Sequence, residues 1–239
     1  MKYFPIFLLL SALACGTQPN NAADDSDKAS VRNVERIAAG LDEFIAPGAE
    51  IEVLDSGYTW TEVPVWSKTL VGLLYCDIPA NRIYLWTEKE GSRVYLDSSG
   101  YTQETPRGGE LGSNGLWIDN YDRLILCQHG NRAVAVMDAN LGEPNASFTN
   151  LAVNYEGKRL NSPNALVFHA NGDLYFTDPP SGLPKRFDDP ARELDYCGVY
   201  RLQPDGKLTL LTTNVTRPNG IAFSPDQKTL YVAQSDRAA

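Results

Sequence analysis

Two histidines and four cysteines are all that this chain of 239 residues carries in imidazole and thiol groups. Beyond Cys15 near the N-terminus, the cysteines are Cys76, Cys127 and Cys197, and their spacing matches no zinc motif. Three can form at most one internal disulfide. Each lies in or beside an apolar strand-like run, which is the setting of a buried thiol. Positive charge is also short. Against 30 acidic residues stand 21 Lys and Arg, a formal net charge of −9. That balance argues against nucleic acid and against an anionic membrane surface as partners. Long apolar runs are missing too, because the stretch from Phe4 to Leu10 is too short to span a bilayer stably. Helical periodicity is sparse, and 19 Gly with 15 Pro fit a chain of many short strands.

The N-terminus reads as a targeting segment. Lys2 precedes the apolar run, which ends in the small residues Ser11-Ala-Leu-Ala-Cys15. Residues 1–14 are expected to be an export signal. Cys15 follows as in the lipobox of bacterial lipoproteins, with Ala12 where Leu is usual. The expectation is export to the periplasm or outer membrane on a lipid anchor at Cys15; the alternative is a secreted soluble protein cut near Ala14. Residues 15–32 are polar and turn-rich, a flexible tether in either case. The remaining residues, 33–239, form one domain.

That domain repeats itself. Glu62-Val-Pro-Val-Trp leads to LLYCDIPANRIYLW, and Asn114-Gly-Leu-Trp-Ile-Asp leads through a turn to LILCQHG. Asn164-Ala-Leu-Val-Phe leads through Asn171-Gly172 to LYFTD, and Asn219-Gly-Ile-Ala-Phe leads through SPDQK to LYVAQSD. The four opening polar residues are 52, 50 and 55 positions apart. A strand-turn-strand period near fifty predicts an all-β propeller. About four blades are expected, the fourth incomplete. Asn33 to Ile45 shows one apolar helical face and predicts a short helix closed by Pro47. Ile51 to Leu54 reads as a strand, Ser99 to Ser113 as a polar loop, and Ser181 to Asp195 as an insertion in the third unit.

In a propeller the first strand of each blade lines the central channel, so residues in one register face one axis. Glu62, Asn114, Asn164 and Asn219 would then form a ring of one carboxylate and three carboxamides. These are hard oxygen donors, which suit Ca²⁺. The plainer reading is turn chemistry, since Asn-Gly and a Glu before a strand are common there.

Several segments together resemble one family. EVPVW at Glu62, QHGNRAV at Gln128, EGKRLNSPNALV at Glu156, FTDPPSGL at Phe176 and RPNGIAFSPDQKTLYVAQSD at Arg217 are collinear with motifs of the senescence marker protein (regucalcin)/gluconolactonase family. The resemblance runs from about Ile51 to Asp236 and implies the family's six-bladed β-propeller. It implies one divalent metal at the channel mouth, Ca²⁺ first and Zn²⁺ or Mg²⁺ as alternatives. Carried over by motif, the ligands are Glu62, Asn164 and Asn219, with a fourth from a later blade. It also implies hydrolysis of sugar lactones. The chain departs from the motifs at Val63 (Gly in the family), Ala165 (Asp), Ser181 (Tyr) and Ala133 (Arg).

Lactone hydrolysis needs a polarised carbonyl, an activated water and a stabilised oxyanion. His129 follows strand LILC and is the catalytic candidate at the mouth, or a loop histidine bonded to backbone. His169, in the turn HANG, is expected at the surface. Asn114 and Asp178 are candidate substrate contacts, although Asp178 also suits a turn cap. Arg132 and Arg159 could hold a polar substrate or sit in surface ion pairs. The leading expectation is a metal-dependent sugar lactonase of the cell envelope, with a small-molecule lactone as its partner. The alternative is a non-catalytic envelope lipoprotein that binds a sugar or a partner at the propeller mouth.

Overall fold

The computed structural model describes residues 34–105 and 107–236. The expected export signal at 1–14, Cys15 and the expected tether at 15–32 lie outside the described residues. The chain divides into two compact units, residues 1–53 and 54–239.

In the first unit the expected helix is reduced to one 3-10 turn, Ala39–Glu43, with no buried residue. Arg36 ties that turn together, bonding the Asp42 carboxylate and the carbonyls of Ile45 and Ala46. Ile37, on the expected apolar face, is 87% exposed, and Phe44 beside that face is 85% exposed. A helix this short needs its apolar face packed to persist, and among the described residues this turn buries none of its own. The expected strand at Ile51 to Leu54 joins no ladder and is exposed.

The second unit is antiparallel sheet. β1 (Thr61–Ser67), β2 (Gly72–Asp77), β3 (Arg82–Thr87) and β4 (Gly91–Asp97) form the first, in sequence order. β5 (Ser113–Ile118), β6 (Leu124–Gln128), β7 (Ala133–Met137) and β8 (Phe148–Ala152) form the second. A small ribbon, β9 (Asn154–Tyr155) and β10 (Lys158–Arg159), leads into the third. That sheet is β11 (Leu166–Phe168), β12 (Leu174–Asp178), β13 (Gly198–Leu202) and β14 (Leu208–Thr212). β15 (Pro218–Phe223) and β16 (Leu230–Gln234) make a fourth, two-stranded sheet. The all-β expectation and the repeat boundaries hold.

The turns explain why these segments fold as hairpins. Asp122, Gly172, Gly206 and Gln227 each adopt positive φ at the same place in their turns. Each donates its N–H to the carbonyl three residues back. This is the type I turn plus left-handed residue of a tight hairpin. Side chains of Asp119, Asn171, Asp205 and Asp226 accept backbone N–H groups across the same turns.

The first strands of consecutive sheets, β1, β5, β11 and β15, lie side by side. Apolar residues alternate into the layers between sheets. Leu74, Ile83 and Leu85 meet Leu116, Leu124 and Leu126 between the first two sheets. Cys127, Val134 and Ile125 meet Leu166, Phe176 and Tyr200 between the second and third. Cys76, Cys127 and Cys197 are free, buried thiols as expected. Burial pushes the Cys76 thiol up to about 12 and that of Cys197 to about 11. Among the described residues no helix is long and apolar enough to cross a membrane.

Candidate metal centre

Each first strand breaks its ladder near its start. Glu62 pairs with Cys76 and Val65 with Leu74, so Val63 and Pro64 oppose one residue. Ser113 pairs with Gln128 and Leu116 with Leu126, setting Asn114 and Gly115 in the same two-to-one bulge. Pro218 pairs with Gln234 and Ile221 with Val232, which does the same for Asn219 and Gly220. In the third sheet, Asn164 N–H donates to the Thr177 carbonyl at 2.8 Å, while Thr177 N–H donates to Ala165 at 3.0 Å. Bulges of this kind re-aim a side chain out of the strand's alternation. The three asparagines therefore share one register. Glu62 stands one residue ahead of it, and Val63 takes the bulge position with φ +45°.

The asparagine backbones are held by a repeated device. The Cys76 thiol donates to the Asn114 carbonyl at 3.3 Å. Gly115 N–H donates to the Asn164 carbonyl at 2.6 Å. The Thr177 hydroxyl donates to the Asn219 carbonyl at 2.8 Å. Each carbonyl is thus fixed by the sheet before it. Gly115 is glycine because a Cβ there would lie 2.7 Å from the Asn164 oxygen.

The side chain of Asn164 is buried, and its Nδ2 lies 3.2 Å from Nε2 of His129. Its Oδ1 is buried without a hydrogen-bond partner. His129 is fully buried rather than poised at the mouth. Desolvation, helped by the Arg107 charge, lowers its imidazole to about 3, so the ring is neutral. Its Nδ1 faces the Glu110 carboxylate at 3.6 Å. Glu110 accepts from Arg186 at 3.1 Å. Burial, and to a smaller degree the Glu62 charge, raise the Glu110 carboxyl, while Arg186 opposes the rise. His129 has no solvent-facing edge, and its Nε2 meets the Asn164 side chain.

Asp178 is fully buried as well. Its two oxygens accept the N–H groups of Ser162 at 2.8 Å and Asn161 at 2.7 Å. Burial raises this carboxyl to about 7 against the pull of those bonds. Asp178 therefore clamps the loop that delivers Asn164. Arg132 clamps the same loop from the other side, donating to the carbonyls of Leu160, Asn161 and Ala191. Arg159 donates to the Asn131 carbonyl at 2.8 Å. Asn114 is buried at 4% exposure with its carbonyl engaged. Glu62 is half-buried and accepts from the Trp60 indole at 2.9 Å. Asn219 is also half-buried. His169, half-buried, packs edge-on against Phe223 rather than standing free.

Among the described residues no three of His, Cys, Asp and Glu cluster as metal ligands. A cation here would depend on amide oxygens beside a single carboxylate. The orphaned Oδ1 of Asn164 supplies what such a cation needs, a buried acceptor with its lone pairs unused. The donor set of Glu62, Asn164 and Asn219 fits a hard divalent ion.

Sequence reasoning passed over Glu110, which sits in a glycine-rich loop with no strand register. It also missed Gly182, where a Cβ would come within 2.5 Å of the His129 Cβ and 2.9 Å of the Ser162 Cβ. A cleft of about 900 Å³ lies at the opposite ends of the second and third sheets. Trp117, Arg123, Phe168 and Gln203 line it, and none of the candidate ligands does.

Residues 60–239 match the model of the SMP-30/gluconolactonase/LRE-like region. A gluconolactonase of Zymomonas mobilis is 36% identical over 237 residues, 98% of this chain and 65% of the relative. A solved gluconolactonase of Xanthomonas campestris superimposes with a TM-score of 0.68 at 34% identity, over 85% of this chain and 63% of that one. A calcium-binding protein, regucalcin, of Agrobacterium tumefaciens shares the fold at a TM-score of 0.51 and 18% identity, covering 77% of this chain and 53% of its own. The chain thus spans just under two thirds of the length of the gluconolactonases it matches. By its sheets, its motifs and these matches, the chain belongs to the SMP-30/gluconolactonase/LRE-like family.

Proposed function

We propose that this chain carries the cation-binding mouth of a sugar lactonase, on blades of a six-bladed propeller, with Glu62, Asn164 and Asn219 as ligands. The observation that carries this reading is the buried, unpartnered Oδ1 of Asn164. A divalent ion held there, Ca²⁺ before Zn²⁺ or Mg²⁺, would supply Lewis-acid polarisation of the lactone carbonyl and charge for the oxyanion. Glu62 brings the negative charge that favours a cation, and Asn164 and Asn219 bring neutral oxygens that complete the set without adding repulsion. The family match and the 36% identity to a gluconolactonase support a lactone as substrate. The segment 1–15 supports export, with lipid attachment at Cys15, in a bacterial envelope.

A non-catalytic binding protein is the second reading, and Ala165 favours it. It places a methyl group where the family motif has a carboxylate, directly beside Asn164. The two readings separate in a pH-stat assay of glucono-1,5-lactone on the full chain, with calcium and with chelator. Hydrolysis that requires calcium and falls about 100-fold or more in Glu62→Ala and Asn219→Ala establishes the lactonase. Calcium binding without turnover establishes the binding protein, and turnover indifferent to chelator removes the cation from the account.

A further inference from the structure

A carboxamide ligand works only when its oxygen, not its nitrogen, faces the ion. The two ends of Asn164 are sterically alike, so something must choose between them. The geometry points to Glu110 and His129 as a positioning pair that holds the Asn164 amide with its oxygen toward the cation. The inference rests on the cation reading above and extends it to residues that touch neither the ion nor the substrate.

The chain of contacts runs one way. The Glu110 carboxylate accepts from the Arg186 guanidinium at 3.1 Å, and in its ionised form it can only accept. It faces Nδ1 of His129 at 3.6 Å, longer than a hydrogen bond and with Nδ1 otherwise unpartnered, and its negative charge there favours the tautomer with the proton on that nitrogen. Nε2 is then an acceptor, and the atom of Asn164 that can donate to it is Nδ2, which stands 3.2 Å away. Oδ1 is left pointing elsewhere, buried and unpartnered. The reverse arrangement would put the proton on Nε2, turn the lone pair of Nδ1 toward a carboxylate, and present an N–H₂ group to the ion. That is unfavourable at both ends.

Packing keeps the ring in place. His129 N–H donates to the Gly112 carbonyl at 3.2 Å, and the loop at Gly182 lies against the ring because no Cβ intervenes. Partners of this kind, one bond removed from an ion, typically govern its affinity by about 10–100-fold.

The test uses calcium alone on the full chain, by isothermal titration, beside ¹⁵N NMR of the imidazole in the metal-free protein. The expected results are an Nδ1–H tautomer in wild type and about 10–100-fold weaker calcium binding in His129→Phe. In His129→Gln an amide oxygen replaces Nε2 as acceptor, and affinity should return to within a few-fold of wild type. Glu110→Gln, at a partly exposed position, should weaken binding about tenfold and carries the test if His129→Phe does not fold. An Nε2–H tautomer, or wild-type affinity in folded His129→Phe or Glu110→Gln, overturns the inference while leaving the ligand set intact. Wild type that binds no calcium overturns the cation reading and the inference with it.

Discussion

At the scale of single residues, the site is a matter of which polar atoms are used and which are left over. Asp178 spends both oxygens on backbone N–H groups. His129 spends Nε2 on Asn164, and Asn164 keeps one oxygen free. Asn164 was legible as a candidate because it opens a strand in register with Asn114 and Asn219. The burial of His129 was not legible, because the residues around it, Gln-His-Gly-Asn, carry turn chemistry and no apolar pattern. The two buried titratable groups pull stability in opposite directions with pH. The His129 imidazole sits near 3, below its unfolded value, so the unfolded chain binds the extra proton and stability rises with pH between about 3 and 6.5. The Asp178 carboxyl sits near 7, above its unfolded value, so the folded chain binds the extra proton and stability falls as pH rises from about 4 to 7. Between about 4 and 6.5 their contributions cancel in wild type. Urea unfolding across that range should show stability falling with pH in His129→Gln and rising in Asp178→Asn, each relative to wild type. Parallel profiles in all three proteins would contradict the assignment of these groups as buried and shifted.

At the scale of elements, the recurring unit is a first strand with a bulge near its start and a carbonyl tied to the preceding sheet. The sequence period located the strands, because each begins with a polar residue before an alternating apolar run. It could not locate the bulge, which depends on two-to-one pairing with a partner strand, and so it set Glu62 level with the asparagines. Val63 shows the cost of that local geometry, a β-branched residue at positive φ where the family motif has glycine. The expected helix at 33–45 failed for a related reason: its period was right, but a stripe is stable only against a surface. Thr177 is where the element-scale device is most exposed to test. Its hydroxyl donates to the Asn219 carbonyl at 2.8 Å and accepts from Ala165 N–H at 3.1 Å. Thr177→Val keeps the shape and removes both bonds, leaving buried groups unpaired. A loss of about 1–3 kcal/mol is expected in denaturant unfolding, with Thr177→Ser retaining most of the stability. A neutral Thr177→Val would show that the hydroxyl does not tie the third sheet to the fourth.

At the scale of the whole molecule, sheets one to three stack with continuous apolar layers between them, and their first strands stand together with that of the fourth. This architecture was readable from the fifty-residue period and the hairpin turns, since both are local. The same period placed Asn114, Asn164 and Asn219 at the starts of successive sheets. The contacts around His129 come from loops, Glu110 before β5 and Gly182 after β12, whose sequences announce only flexibility. The central claim is that Glu62, Asn164 and Asn219, brought from three different sheets, hold one cation. Its most direct test is an anomalous difference map from crystals of the full chain soaked in terbium, a lanthanide that substitutes for calcium at hard oxygen sites. The account predicts one strong peak bounded by the Glu62 carboxylate and the amide oxygens of Asn164 and Asn219. A map with no peak there, or with terbium bound only elsewhere, would contradict it.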